Sequence, residues 1–164
     1  MKYFAYGSNM SLCRLRSRTP TAYTVGVFFL NQHKLKFHKI GKDGSAKCNA
    51  HFTGAEADII EGVVFELDPD EVAELDRAEG LGNGYEKKNV KVTDILGNTV
   101  EAFSYFATKT NDSLLPFSWY TKHVLKGAES AGLSDGYIAQ IEAVQTINDP
   151  DGLREQRELI IYRR

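Results

Sequence analysis

Apolar residues along the chain follow two rhythms, and each predicts a different kind of element. Residues 3–6 are aromatic or apolar without a charge, which predicts a short buried strand, and Gly7-Ser8-Asn9 breaks it abruptly. Residues 23–30 are β-branched and aromatic. Residues 34–40 alternate polar and apolar around Leu35 and Phe37, as a half-buried strand does, and residues 47–53 form another short strand. Residues 59–67 include the run Gly62 to Leu67, which reads as a central strand. Residues 85–93 and 99–106 flank a Gly97-Asn98 turn and predict a hairpin. The helical rhythm is found elsewhere. Leu12 and Leu15 suit one to three turns over residues 10–18, stopped by Thr19-Pro20. Asp68-Pro69-Asp70-Glu71 is a capped helix start, with Asp68 as cap and Glu71 three residues later, and Gly80 is its stop. Ser118 is the expected cap of a helix carrying Tyr120, Val124, Ala128 and Ala131, ended by Gly132. Ser134 caps the next, with Ile138, Ile141 and Val144 inward. After a break at residues 148–152 the tail is charged, with an apolar patch at residues 159–162, and reads either as a short helix or as a docking arm.

About seven strands, mostly consecutive, with one helix among them and two at the end, predict an α+β fold. The best fit is a small mixed, largely antiparallel β-barrel flanked by helices, with residues 1–151 as the domain and 152–164 as a C-terminal tail. A net charge of −2 gives no footprint for nucleic acid or an anionic membrane, and no apolar run is long enough to span a bilayer. Cys13 and Cys48 stand alone, without a Cys-x-x-Cys pair or a secretion signal, so both are expected as reduced thiols in the cytoplasm. His33, His38, His51 and His123 show no ligand spacing and are expected as scattered surface histidines, with no metal. The tail patch leaves a monomer and a homodimer equally open.

Two stretches carry candidate chemistry. A buried strand running into Gly7-Ser8-Asn9 presents several backbone N–H groups at one point, which suits a carboxylate or an oxyanion. At about 100° per residue, Val72, Leu75 and Glu79 share one helix face, so the buried stripe of that helix ends in a carboxylate. A carboxylate in that position needs a compensating partner. Arg14, Arg16 and Arg18 read as a solvated face, with a role for one of them toward an acidic ligand as the alternative.

Taken together, Tyr3-Phe4-Ala5-Tyr6-Gly7-Ser8-Asn9-Met10, Leu75-Asp76-Arg77-Ala78-Glu79-Gly80 and Gly84-Tyr85 resemble the γ-glutamylcyclotransferase family. The Gly-Ala helix at residues 126–133 is similar to a late helix of that family. The resemblance implies a small β-barrel with attached helices. It also implies an enzyme that converts a γ-glutamyl amino acid or amine into 5-oxoproline and a free amine, by attack of the substrate's own α-amine on its γ-carbonyl. Glu79 maps onto the catalytic acid/base. Tyr3, Phe4, Ala5, Tyr6, Gly7 and Ser8 map onto the substrate cradle with Asn9 adjacent, and Tyr85 and Tyr120 onto aromatic substrate contacts. The implied partner is a small γ-glutamyl molecule, without cofactor or metal. A γ-glutamylamine or γ-glutamyl-metabolite cyclotransferase and a non-catalytic γ-glutamyl-binding module are the competing readings. Residues 34–53 and the tail carry nothing that the resemblance assigns.

Overall fold

The first strand, β1 (Lys2–Ala5), is laid into the middle of the molecule in a computed structural model that describes residues 1–163. It pairs antiparallel with β5 (Ile59–Glu66), from Lys2 opposite Glu66 to Ala5 opposite Val63, and parallel with β7 (Thr99–Ala107) at Tyr3–Phe103. β5 pairs on its other side with β2 (Tyr23–Asn31), and β6 (Tyr85–Thr93) forms the expected hairpin with β7. One further pairing, Phe29–Thr93, joins β2 to β6 and closes a five-stranded barrel in the order β1-β5-β2-β6-β7. All pairings but β1–β7 are antiparallel. Gly62 on β5 is required by packing: a Cβ there would stand 2.6 Å from the Phe4 ring and from the Ala5 carbonyl oxygen.

Seven strands are present, as the pattern predicts, but only five enter the barrel. β3 (His33–Ile40) and β4 (Ala46–Phe52) pair with each other as a separate two-stranded sheet, with one isolated bridge from Lys39 to Thr110. Closure of five strands leaves no long edge for them to extend. The hairpin covers the barrel instead, sending Cys48 and Ala50 into the core while the Phe37 ring meets Tyr120 edge-on.

The helices are α1 (Leu12–Leu15), α2 (Val72–Glu79), α3 (Ser118–Ala131), α4 (Asp135–Glu142) and α5 (Gly152–Leu159). Asp68 caps as expected, accepting from the Asp70 N–H at 3.0 Å ahead of a 3₁₀ turn, Pro69–Glu71, that leads into α2. Glu71 does not complete a box; its carboxylate reaches the N–H and hydroxyl of Thr21. Ser118 does not cap α3 either. Phe117 holds that position without a side-chain bond, and its carbonyl takes the Tyr120 N–H at 3.0 Å and the Thr121 N–H at 3.3 Å. The tail is both alternatives at once. α5 and a 3₁₀ turn, Ile160–Tyr162, dock on the same chain: Arg154 forks onto Asp149, Glu158 meets Arg14 and His123, and the Tyr162 hydroxyl donates to Ser11. His123 and His38 are buried, which corrects the surface expectation for these two. His123 packs between Trp119 and the tail, and His38 is bonded by Asp112 and Asn49. Cys13 is exposed and Cys48 buried, unpaired. No helix among the described residues is long and apolar enough to cross a membrane.

Candidate active site

β1 ends at Ala5, and Tyr6 leads into Gly7 and a single 3₁₀ turn, Ser8–Met10. The turn lies so close to β4 that a Cβ on Gly7 would stand 3.0 Å from the Cys48 Cβ and 3.4 Å from its sulfur. Glycine is the side chain that permits this approach. The Gly7 and Ser8 N–H groups have no acceptor among the described residues, as is usual for the first donors of a helical turn.

Glu79 comes to the same point from 70 residues away. Val72 and Leu75 are buried and seat α2 on the barrel, and Gly80 ends the helix with a left-handed φ of 73°. Between them Asp76 accepts from the Tyr105 hydroxyl at 2.7 Å and from Lys87 at 2.7 Å, which clamps the last turn of α2 to β6 and β7. Glu79 is thereby delivered to the turn after β1. Asn9 Nδ2 donates to Glu79 Oε1 at 2.9 Å and to the Tyr3 hydroxyl at 3.1 Å. Arg18 Nη1 donates to Asn9 Oδ1 at 2.7 Å and to Glu79 Oε1 at 3.2 Å. Both donors fall on Oε1, and Oε2 has no hydrogen-bond partner among the described residues. Arg18 and Arg14 are therefore half-buried and paired, not solvated, whereas Arg16 remains exposed and donates to the Ala22 carbonyl.

Five tyrosines wall the space. Burial raises the hydroxyl pKa of Tyr3, Tyr6, Tyr85, Tyr105 and Tyr120, and the Glu79 charge adds to the effect, so all five are protonated. Their protons are not equally available. Tyr6 donates to the Tyr105 carbonyl and Tyr85 to the Cys48 carbonyl at 2.6 Å. Tyr120 accepts from the Cys48 N–H at 2.9 Å, so its own proton is left for the cavity or the adjacent Cys48 sulfur. Burial pushes the Cys48 thiol up to about 12 and keeps it protonated.

The structure brings together Tyr3, Tyr6, Gly7, Ser8, Asn9, Glu79, Tyr85 and Tyr120 around one narrow cavity of 20 Å³. Phe4 and Ala5 are fully buried in the core and do not line it. Tyr105 and Cys48 line it as well, without having been anticipated. Neither carries a local sign, because each is brought in by strand pairing distant in sequence. The cavity has room for about one water molecule. A cleft of 280 Å³ lies against it and shares Ser8, Glu79, Tyr85 and Tyr120. A larger groove of 660 Å³ between β3, β5 and α4 shares no residue with either space. No set of three His, Cys, Asp or Glu side chains among the described residues is placed to hold a metal. Together the groups offer amide donors, a carboxylate with one free oxygen, and a wall of protonated phenols. Such a set suits a zwitterionic ligand and a proton relay across it.

A model of the AIG2-like family matches residues 59–141. The chain is 30% identical over 167 residues to the γ-glutamylcyclotransferase of Homo sapiens, covering 97% of this chain and 86% of that protein. It is 29% identical over 163 residues to the γ-glutamylcyclotransferase of Mus musculus, with the same coverage. A solved structure of a gamma-glutamyl cyclotransferase superposes with a TM-score of 0.89 at 27% identity, covering all of this chain and 99% of the other.

Proposed function

From the premise that the chain belongs to the γ-glutamylcyclotransferase family, AIG2-like in its family model, we propose how its own residues perform the reaction. The protein is an enzyme of the cyclotransferase type. The substrate is a γ-glutamyl conjugate of a small amine or amino acid. Its α-amine attacks the γ-carbonyl carbon, the lactam C–N bond forms, the bond to the leaving amine breaks, and 5-oxoproline departs.

Nucleophile and electrophile belong to one molecule, so the enzyme's first task is to hold the glutamyl chain curled. Fixing such a geometry contributes up to roughly 7–11 kcal/mol in ideal intramolecular cases. The free N–H groups of Gly7 and Ser8 hold the α-carboxylate or the oxyanion that develops on the γ-carbon. Glu79 Oε2, which has no protein partner among the described residues, accepts the α-ammonium proton and returns it to the departing amine. Asn9 and Arg18, both on Oε1, fix the carboxylate so that its other oxygen meets the substrate. The inner cavity admits a group of about one water's size, so only a terminal group of the glutamyl head reaches into it, and the rest of the substrate lies in the adjoining cleft that shares Ser8, Glu79, Tyr85 and Tyr120, with the leaving group farthest out.

One contact carries this reading: the 2.9 Å bond from Asn9 to Glu79, which joins the amide-lined turn to the acid closing α2. The test is release of 5-oxoproline from a panel of γ-glutamyl amino acids and amines. Glu79→Gln keeps the Oε1 acceptor for Asn9 and Arg18 and removes the base. It is expected to lower kcat by about 10²–10⁴ with little change in melting temperature. A variant that turns over at the wild-type rate removes Glu79 from the mechanism.

A further inference from the structure

The outer cleft is unusually well supplied with cations, and their pairing is uneven. Three of its basic side chains meet an acid: Arg14 with Glu158, Arg18 with Glu79 at 3.2 Å, and Lys47 with Asp43 at 2.7 Å. Lys39 and Lys42 line the same cleft and have no hydrogen-bond or ion-pair partner among the described residues. Lys42 is exposed at the mouth, where water serves it. Lys39 is different. The residue as a whole is only 5% exposed, while Nζ is not among the fully buried unpartnered atoms and opens on the cleft; a largely desolvated ammonium without an anion is costly. What it has is the face of Tyr85, with Nζ 4.6 Å from the ring centroid, a weak partial compensation.

The end of the Lys39 side chain packs against Gly84. Gly84 has a φ of 119°, and a Cβ at that position would stand 2.9 Å from both Cε and Nζ of Lys39. The β3 backbone is irregular between Phe37 and Lys39, and just beyond it the Ile40 N–H bonds the Lys109 carbonyl, which holds that part of β3 over the cleft. Burial lowers the Lys39 pKa and the Glu79 charge raises it, so the ammonium already lies within the field of the acid.

We propose that Lys39 is a specificity-determining residue that binds a carboxylate carried by the leaving amine, so that the enzyme selects γ-glutamyl amino acids over γ-glutamyl amines. The inference rests on the cyclotransferase reading above and deepens it. With one end of the glutamyl head at Gly7 and Glu79, the leaving group is the part of the substrate that extends farthest along the cleft. An α-carboxylate there supplies the anion that the protein itself does not give Lys39. Arg18, Arg14 and Lys47 are held by their own acids and do not compete for it.

The experiment compares γ-glutamylalanine with γ-glutamylethylamine, which is the same conjugate less the leaving-group carboxylate. kcat/KM is measured on both for wild type and for Lys39→Met, which keeps an unbranched stem without the charge. Wild type is expected to favour the alanine conjugate. Lys39→Met is expected to lower the alanine-to-ethylamine ratio about ten-fold or more, the scale of one charge-assisted contact, with the change in KM. An unchanged ratio overturns the proposal, whether both rates fall together or neither does. Together they would fall if Lys39 held the glutamyl head or merely supported the fold. Absence of 5-oxoproline from both conjugates in wild type is a separate outcome, and it removes the cyclotransferase reading itself.

Discussion

The two ends of the cleft are built by opposite means. The inner end joins the turn after β1 to the last turn of α2, with Asn9 2.9 Å from Glu79, inside a wall of buried tyrosines. The outer end is made of long charged side chains from α1, β3, the β3–β4 loop, β4 and the tail, most of them held by a partner, Lys39 set against an aromatic face and Lys42 exposed. An inner wall formed by a glycine in contact with a strand tolerates tenths of an ångström. An outer wall of lysines and arginines can adjust its rotamers. On the mechanism proposed above, reaction geometry belongs to the rigid end and the choice of leaving group to the adaptable one.

The sharpest way to break that contrast is Gly7→Ala. The new methyl would stand 3.0 Å from the Cys48 Cβ and 3.6 Å from the Tyr120 hydroxyl, so the turn or β4 has to shift by a few tenths of an ångström. Gly7 has an ordinary negative φ of −116°, so backbone strain is not the issue and the protein should still fold. A displacement of this kind in a positioning element is expected to lower kcat/KM by about 10- to 100-fold. Full activity in steady-state assays would show that the turn is not the rigid half of the site.

This contrast also explains what could be read from residue order. Gly7-Ser8-Asn9 after an uncharged strand, and Val72, Leu75 and Glu79 on one helix face, are local patterns whose chemistry shows at short spacing. The α+β barrel with its late helices was legible for the same reason. Arg18 was not. In a run of three arginines it has the pattern of a solvated face, and only the fold brings it to Glu79, 61 residues away. Tyr105 and Cys48 enter by strand pairing, and Lys39 by a hairpin left outside the barrel, none of which leaves a local mark. Phe4 and Ala5 erred the other way, since the same uncharged run that marks the cradle also marks the core. The partners of His123, Arg14 among them, lie 35 to 109 residues distant, so its burial had no local sign either.

A smaller effect, on stability more than on rate, is expected where the tail closes the outer end. Burial pushes the Glu158 carboxyl up, but the hydrogen bond with His123 and the charge and bond of Arg14 hold it at about 2, below its ordinary 4.5. Because the folded value is the lower one, the stabilisation is fully present above pH 4.5 and is lost as pH falls toward 2. His123, held below its ordinary value first by burial, acts in the same direction, because protonating it in place is unfavourable. The unfolding free energy from denaturant titrations should fall over that window by an amount on the order of 1–3 kcal/mol. Glu158→Gln should lose about that much at pH 7 and flatten the slope, while kcat/KM changes only a few-fold. A loss of activity as large as that of Gly7→Ala would mean that the outer end is as rigid as the inner.

The smallest effect is expected farthest from the chemistry on the same helix. Asp68 is exposed and caps the turn leading into α2, accepting from the Asp70 N–H at 3.0 Å. Asp68→Ala should lower stability by about 1 kcal/mol, which for a chain of this size is a melting shift of roughly 2–4 °C. The Glu79 end of α2 does not depend on that cap. Leu75 in the core, the Tyr105–Asp76–Lys87 clamp and the Gly80 stop hold it independently. Turnover should therefore stay within about two-fold of wild type, because the cap acts on the fraying end of the helix and the clamp on the working one. If Asp68→Ala instead reduced kcat as strongly as it reduced the melting temperature, Glu79 would be placed by the helix as a whole. The clamp on Asp76 would then be an ordinary surface contact, and the rigid inner end would begin at residue 68.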